Sequence, residues 1–151
     1  MRVPRKWAAE VAEPARREIE SEANRTLPHE IGGLLIGWVG HGVVHIDQAL
    51  TIPPAATAPA GYVRVRERAA VELTAALADE PADSPRGYVG EWHSHPANVG
   101  PSGTDIRSMR SIAADSATPI VLVVARYSAD GAWLLDSRVF RPPAVPWRRP
   151  R

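Results

Sequence analysis

Cysteine is absent from the 151 residues of this chain. Disulfide bonds, zinc sites built from thiolates and catalysis by a thiol nucleophile are therefore excluded. A bound metal ion would need histidine, aspartate or glutamate as its protein ligands. The zinc-dependent deaminases, whose signature ends in P-C-x-x-C, are excluded for the same reason.

An excess of charge of one sign is absent as well. The chain has 18 basic and 17 acidic residues and a formal net charge of +1, and Lys6 is its only lysine. Proteins that bind nucleic acid through its phosphates usually carry a strongly basic face. We therefore expect no nucleic-acid partner.

Long apolar runs are also missing. The longest apolar stretches, 31–39 and 119–125, are far shorter than the roughly 20 residues that cross a bilayer. The basic start of the chain is followed by alternating Glu and Ala rather than by the apolar segment of a signal peptide. The sequence thus predicts a soluble, cytoplasmic protein without a membrane partner.

The chain does contain enough apolar residues for one hydrophobic core. They make up 44% of the sequence, and 151 residues is an ordinary size for a single domain. We assign residues 1–140 to that domain. Residues 141–151 hold four prolines and four arginines and are predicted to form a flexible tail.

Hydrophobic periodicity predicts the secondary structure of the domain. The predicted strands are 7–12, 31–39, 43–50, 62–65, 87–92 running into 93–96, 119–125 and 132–140, the predicted helices are 14–26, 67–78 and 103–114, and 52–60 is a predicted loop. The first helix is expected to begin at Pro14, because a single helix from Trp7 to Ala23 would hold that proline in its interior at a cost of about 3 kcal/mol. Strands and helices mixed around one sheet indicate a single α/β or α+β domain.

One segment, residues 91–105 (EWHSHPANVGPSGTD), combines metal-binding side chains at informative spacings. His93 and His95 are two residues apart, so on an extended strand both imidazoles point to the same side. Pro96 ends the strand and leaves the two rings at its rim. Asp105 falls on the first turn of the following helix, where a third ligand can fold back towards them. Two imidazoles, one carboxylate and an open position are typical of a catalytic zinc site.

A metal-dependent hydrolase also needs a group that takes a proton from the attacking water. The candidate is Glu30, which directly precedes the apolar run that starts at Ile31. A carboxylate at that position is costly to bury unless it has a partner or a task, although an acidic residue before a strand is most often simply solvated. The neighbouring His29 is the alternative proton acceptor, and a surface histidine is its simpler interpretation.

Together these motifs resemble the JAMM (MPN+) metallopeptidase family. Glu30 before the strand sequence IGGLLIG, then His-Ser-His-Pro, then Ser102 and Asp105 three apart match that family's pattern, and the likeness extends over residues 7–140. The resemblance implies an α/β fold, a single-domain deaminase-like α/β/α sandwich around a central mixed β-sheet.

The resemblance also implies a role for each site residue. His93, His95 and Asp105 would bind one Zn²⁺, with water as the fourth ligand. Glu30 would act as general base and then as general acid, and Ser102 would hydrogen-bond the oxyanion that forms when water attacks the scissile carbonyl. In one departure, six residues separate His95 from Ser102, where the family commonly has seven. A one-residue deletion in a Gly/Pro loop is easily absorbed, because loop closure depends only weakly on length.

Members of this family hydrolyse bonds at the C-terminus of ubiquitin or ubiquitin-like proteins, either an isopeptide bond to a lysine or a peptide extension. This compact chain is similar to the small stand-alone bacterial members, which are associated with ubiquitin-like conjugation systems, some of them in antiphage defence. The resemblance therefore implies a zinc isopeptidase or peptidase that cleaves after the terminal glycine of a ubiquitin-like protein. E1-like and E2-like enzymes are its possible further partners. Two alternatives stay open, a non-catalytic MPN-type interaction module and a JAMM peptidase with an unrelated peptide substrate.

Three further side chains have plainer interpretations. Glu91 shares the strand face of His93, so it either supports the metal site from outside or forms an ordinary salt bridge. Trp92 points to the opposite face of the strand and is expected in the core. Should Asp105 not bind the metal, Asp115 is the alternative third ligand.

Overall fold

Six strands and three helices follow one another in the computed structural model, which describes residues 6–55, 62 and 64–144. They are, in chain order, β1 (Ala8–Val11), α1 (Glu13–Thr26), β2 (Gly32–Gly40), β3 (Val43–Ile52), α2 (Arg66–Ala76), β4 (Gly87–His95), α3 (Gly103–Ala114), β5 (Ile120–Tyr127) and β6 (Trp133–Phe140). The predicted order of strands and helices is confirmed at every element but one.

All six strands form one sheet in the order β1-β3-β2-β4-β5-β6. β1 is parallel to β3 and β4 to β5, whereas the β2–β3, β2–β4 and β5–β6 pairs are antiparallel. The middle of β2 is a continuous apolar run, Leu34, Leu35 and Ile36, and all three are buried because both faces of the strand are covered. The sheet is mixed, as expected.

Helix α1 covers one face of the sheet. Its buried residues Ala15, Ile19 and Ala23 recur every four positions, so they lie on one side of the helix. They share a core with Trp92 and with alternate residues of β5. Pro14 lies in the first turn of α1, as predicted, where a missing N–H costs little.

Helices α2 and α3 cover the opposite face. Met109 and Ala113 of α3 pack on the other set of alternate residues of β5. Ala69 of α2 packs on Leu34 of β2 and Ile52 of β3. One helix on one side of a mixed sheet and two on the other make an α/β/α sandwich, which confirms the predicted fold class.

The strand predicted over 62–65 is not formed. Among its described residues only Arg64 makes a β-bridge, an isolated one to Pro54, and residue 63 lies outside the described part of the chain. Pro53 and Pro54 have no N–H to donate, so this segment cannot extend the bridge into a ladder. The alternation of side chains alone did not reveal that the partner segment is rich in proline.

Two other predictions fall partly outside the described residues. The loop predicted over 52–60 starts after Ile52, which ends β3, and its residues 56–60 are not described. Of the tail predicted over 141–151, residues 141–144 have no regular secondary structure, and residues 145–151 lie outside the described part.

The longest helix in the described residues is α1, with 14 residues. Within that same part of the chain, no helix combines the length and the apolar character needed to cross a membrane.

Strand β4 contains a β-bulge before its C-terminal end. The register against β2 shifts after Leu35, which pairs with Gly90, whereas the next residue of β2 pairs with Tyr88. Val89 is therefore an extra residue in β4. Gly90 has φ +152°, and a Cβ atom there would lie 1.9 Å from the carbonyl oxygen of Val121. Only glycine fits, because that oxygen belongs to the backbone of the neighbouring strand.

Gly90→Ala should therefore destabilise the fold by at least about 2 kcal/mol. Gly87→Ala in the same strand is the matched control, because nothing lies within 4 Å of a Cβ atom built there. That control should change the free energy of unfolding by less than about 0.5 kcal/mol. Denaturant unfolding of both variants measures the difference, and equal stability would show that the bulge tolerates a side chain.

Candidate metal centre

Strand β4 presents both histidines of the H-x-H motif on one face of the sheet. Trp92 belongs to the core beneath α1, as predicted. His93 is paired with Val124 of β5, whose side chain packs beneath α3. Because neighbouring residues of a strand point to opposite faces, the imidazoles of His93 and His95 lie on the α3 side.

The first turn of α3 brings a carboxylate to the same place. The N–H of Asp105 donates to Oγ of Ser102 over 3.1 Å, and the N–H of Ser102 donates to Oδ2 of Asp105 over 2.7 Å. This reciprocal capping box satisfies two N–H groups that the helix start would otherwise leave unpaired. It also fixes the position of the Asp105 carboxylate.

The three side chains meet at one point. Nε2 of His93 lies 3.1 Å from Nε2 of His95, and Oδ2 of Asp105 lies 3.3 Å and 3.8 Å from those two nitrogens. In a tetrahedral site with metal–ligand bonds of about 2.05 Å, ligand atoms are about 3.4 Å apart. The donor set and its spacing therefore fit a tetrahedral metal ion with one open position.

The ring of His95 is oriented by the loop that follows it. Its Nδ1 lies 2.9 Å from the carbonyl oxygen of Val99, a contact that requires the proton to be on Nδ1. Nε2 of the neutral ring then carries a lone pair directed at the cluster. A metal-binding histidine has this arrangement when its second nitrogen donates to a neighbouring carbonyl.

Asp105 is held as a carboxylate. Burial acts to raise its pKa, but the hydrogen bonds from His93 and from the backbone N–H of Ser102, together with the charge of His93, lower it by more. The pKa of Asp105 is therefore well below its ordinary value. The group is ionised at neutral pH, as a metal-binding carboxylate must be.

A buried serine joins the two strands that meet at this site. Ser94 is only 1% exposed; its N–H donates to the carbonyl oxygen of Ile31 over 2.8 Å, and its Oγ accepts the N–H of Ile31 over 3.0 Å. The spacing arguments did not point to this residue. The sequence could have indicated Ser94, because the middle residue of H-x-H must face the core side of the strand. A polar side chain there needs a hydrogen-bond partner.

Glu30 lies two residues before β2, close in sequence to the pairing that holds the end of β4. Gly32 is opposite His93, so continuing the antiparallel register by two residues sets Glu30 opposite His95. Residues opposed in an antiparallel pair share a face of the sheet. Continued in this way, the register predicts the half-buried Glu30 on the side of the histidines, and its role as a base stays a prediction.

Ser102 has a structural role in addition to the one implied by the motif. Its Oγ accepts the N–H of Asp105 and so caps α3. A hydroxyl group can accept one hydrogen bond and donate another, so its own proton is still available. Donation from Ser102 to an oxyanion stays a prediction.

Two other acidic residues are engaged elsewhere. Glu91 accepts a hydrogen bond from Nε of Arg64 over 2.7 Å and one from the hydroxyl of Tyr88 over 3.3 Å, so the salt bridge is the interpretation of Glu91 that the structure supports. Asp115 ends α3, about 15 Å along the helix from Asp105. That separation prevents it from replacing Asp105 as a ligand.

A cavity of about 310 Å³ opens beside the three ligands, between β4 and α3. His93 and Asp105 form part of its wall, and Met109, Ile112 and Leu122 give it an apolar lining. A larger cavity of about 580 Å³ lies between α3 and β6 and contains none of the three ligands. The smaller cavity is therefore the one that could admit a substrate segment to the metal centre.

The chain is similar to known proteins in sequence and in fold. Residues 12–136 match the family described as prokaryotic homologs of the JAB domain. The chain belongs to the prokaryotic JAB family. This match confirms the resemblance drawn from the motifs, and the matched residues include Glu30 and the whole metal-binding cluster. Membership of the JAB family and the clustered ligands together indicate a metal-dependent hydrolase.

The JAB fold also occurs in a solved bacterial structure. The solution structure of a structural-genomics protein from Desulfitobacterium hafniense matches with a TM-score of 0.64 and 16% sequence identity, over 89% of this chain and 84% of that one. At this identity the likeness concerns the fold alone. No curated protein matches the chain significantly in sequence.

The purified JAB protein should bind close to one equivalent of a divalent metal ion. His93→Ala, His95→Ala and Asp105→Ala should each lower that stoichiometry, because each removes one of three protein ligands. Asp115→Ala is the matched control and should retain the ion. Metal analysis after dialysis measures the stoichiometry, and a wild-type protein that neither carries nor takes up metal contradicts the assignment.

Proposed function

We propose that this JAB protein is a zinc-dependent isopeptidase or peptidase that cleaves after the C-terminal glycine of a ubiquitin-like protein. The observation that carries the proposal is the meeting of His93, His95 and Asp105 at tetrahedral spacing. Glu30, two residues before β2, would add the carboxylate that hydrolysis needs. A non-catalytic interaction module would have no use for this combination.

Zinc is the ion that this donor set favours. Two neutral imidazoles and one carboxylate with an open fourth position are the composition of catalytic zinc sites. Mg²⁺ and Ca²⁺ instead favour oxygen ligands in larger number. When bound, zinc supplies a Lewis acid that polarises the scissile carbonyl and makes water more acidic.

The chain's own residues would carry the proton between water and the leaving group. The carboxylate of Glu30 takes a proton from the attacking water while the water oxygen bonds to the carbonyl carbon. The same group then returns the proton to the leaving nitrogen as the C–N bond breaks, which yields a carboxylic acid and a free amine. The hydroxyl of Ser102 donates to the carbonyl oxygen as negative charge develops there.

Glu30→Gln should keep the fold and the metal but lower kcat by about 10²–10⁴-fold, because a positioned general base contributes that much. Glu67→Gln, at an exposed position of α2, is the matched control and should stay fully active. Metal content, thermal unfolding and cleavage rate are measured on the same preparations. Full activity of Glu30→Gln would show that another residue takes the proton, with His29 as the next candidate.

Close packing on both sides of the three ligands favours a substrate tail with small side chains. On one side, a Cβ atom on Gly32 would lie 2.8 Å from Cε1 of Tyr62 and 2.9 Å from Cβ of His93. On the other side, the loop after β4 is fastened to the end of β5, because the N–H of Tyr127 donates to the carbonyl oxygen of Ala97 over 3.3 Å. Residues next to the scissile carbonyl would pass between these walls, which favours glycine.

The partner class follows from this shape. A ubiquitin-like protein ends in a flexible tail that can lie extended along a groove and form main-chain hydrogen bonds. E1-like and E2-like enzymes of the same bacterial conjugation system, in antiphage defence or elsewhere, would supply the conjugates or precursors. Genes for such enzymes next to the gene of this protein would identify candidate substrates.

A fusion series tests the tail preference. Ubiquitin-like fusions with Gly, Ala or Val before the cut are incubated with zinc-loaded enzyme, and kcat/KM is compared. We expect Gly to be cleaved at least about tenfold faster than Val, since a side chain that collides with fixed walls costs on the order of 1–3 kcal/mol. Equal rates for Gly and Val would contradict the narrow groove and favour a general zinc peptidase.

A further inference from the structure

The two histidines of the metal centre are supported in different ways. Nδ1 of His95 is hydrogen-bonded to the carbonyl oxygen of Val99. For His93, the hydrogen bonds and ion pairs among the described residues all involve Nε2, the atom directed at the cluster. Within the described part of the chain, packing is therefore what can orient the His93 ring.

The neighbouring strand cannot supply that packing from its own side chain. Gly32 is opposite His93, and a Cβ atom at this position would lie only 2.4 Å from the carbonyl oxygen of Trp92. Even alanine would collide with this backbone atom. The space above Gly32 must be filled from elsewhere in the chain.

Tyr62 fills this space. Its Cε1 lies 2.8 Å from the Cβ position of Gly32, and Cβ of His93 lies 2.9 Å from the same point. Cε1 of Tyr62 and Cβ of His93 are therefore at most about 6 Å apart, and the tyrosine ring lies beside the histidine across the missing side chain. Both also line the cavity beside the metal centre.

The ring of Tyr62 is itself held in place. Its hydroxyl donates to the carbonyl oxygen of Ile52, the last residue of β3, over 2.8 Å. Burial, and then the nearby charge of Glu91, raise the pKa of Tyr62, so the phenol stays a neutral donor at neutral pH. A side chain held at its hydroxyl in this way can restrict the group beside it.

We propose that Tyr62 is a positioning residue for the metal ligand His93, taking the place of the hydrogen bond that orients His95. Its ring limits the rotation of the His93 imidazole and so raises the affinity of the site for its ion. The inference rests on the metal centre of the proposed function, but it concerns metal affinity and not hydrolysis.

The test is the zinc dissociation constant, measured by competition with a chromophoric chelator. Tyr62→Ala should weaken zinc binding about 10–100-fold, the usual cost of removing a group that orients a metal ligand. Tyr62→Phe keeps the ring and should bind zinc within about threefold of wild type, a fraction of that cost. Tyr127→Ala is the matched control and should leave the affinity unchanged, because Tyr127 is also half-buried but its ring packs against Trp133 and does not line the cavity beside the metal centre.

A second readout separates positioning from general loosening of the fold. Co²⁺ in place of zinc gives visible absorption bands that report ligand geometry, and we expect them to change in Tyr62→Ala but not in Tyr62→Phe or Tyr127→Ala. Should Tyr62→Ala not fold, Tyr62→Leu takes its place with the same expected results.

Three results would overturn the proposal. If Tyr62→Ala binds zinc as tightly as wild type, Tyr62 does not position His93, whereas the proposed hydrolysis still depends on the Glu30→Gln experiment. If Tyr62→Phe binds zinc as weakly as Tyr62→Ala, the ring of Tyr62 is not what positions His93. If wild-type protein binds no metal, the positioning role fails together with the metal centre.

Discussion

The antiparallel pairing between the start of β2 and the end of β4 is the constraint on which the site depends. It joins Ile31 to Ser94, two residues 63 positions apart in the chain. A slip of one residue would turn every side chain of β4 to the other face of the sheet. The histidines would then enter the core beneath α1, and Trp92 would point at α3. The burial of Trp92 therefore protects the geometry of the site as well as the stability of the core.

Asp105 shows how one side chain can serve both the helix and the metal centre. Its Oδ2 accepts the N–H of Ser102 and is also the oxygen nearest to His93. A carboxylate has several lone pairs, so the two roles do not compete for the same electrons. The positive end of the α3 dipole also favours the charged form of this carboxyl group. Helix capping and metal binding thus favour the same charge state.

The features that could be predicted from sequence are those with a local signal. Alternation and four-residue periodicity located the strands and helices, Pro14 marked the start of α1, and the H-x-H spacing placed two imidazoles on one face. Glu30 is a candidate because a carboxylate before a buried strand needs a partner or a task, and the family resemblance supports its role as a base, but its place relative to the histidines depends on strand pairing over a long distance. No local pattern contains that information.

The features that could not be predicted depend on what lies opposite a residue. Residues 62–65 alternate like a strand, but the segment they meet contains Pro53 and Pro54, which cannot complete a ladder. The bulge at Val89 depends on the pairing with β2, and the need for glycine at position 90 depends on the contact with β5. Ser94 looks like an ordinary polar residue until the N–H group that it accepts is known.

The short sequence span of the ligands has a consequence for how the protein acquires its ion. His93, His95 and Asp105 fall within 13 residues, so an ion bound there closes only a short loop and removes little chain entropy. The sandwich already has buried clusters on both faces of its sheet. Zinc fingers, in contrast, fold only when the metal binds. We therefore expect this domain to fold without its ion and to bind the ion afterwards.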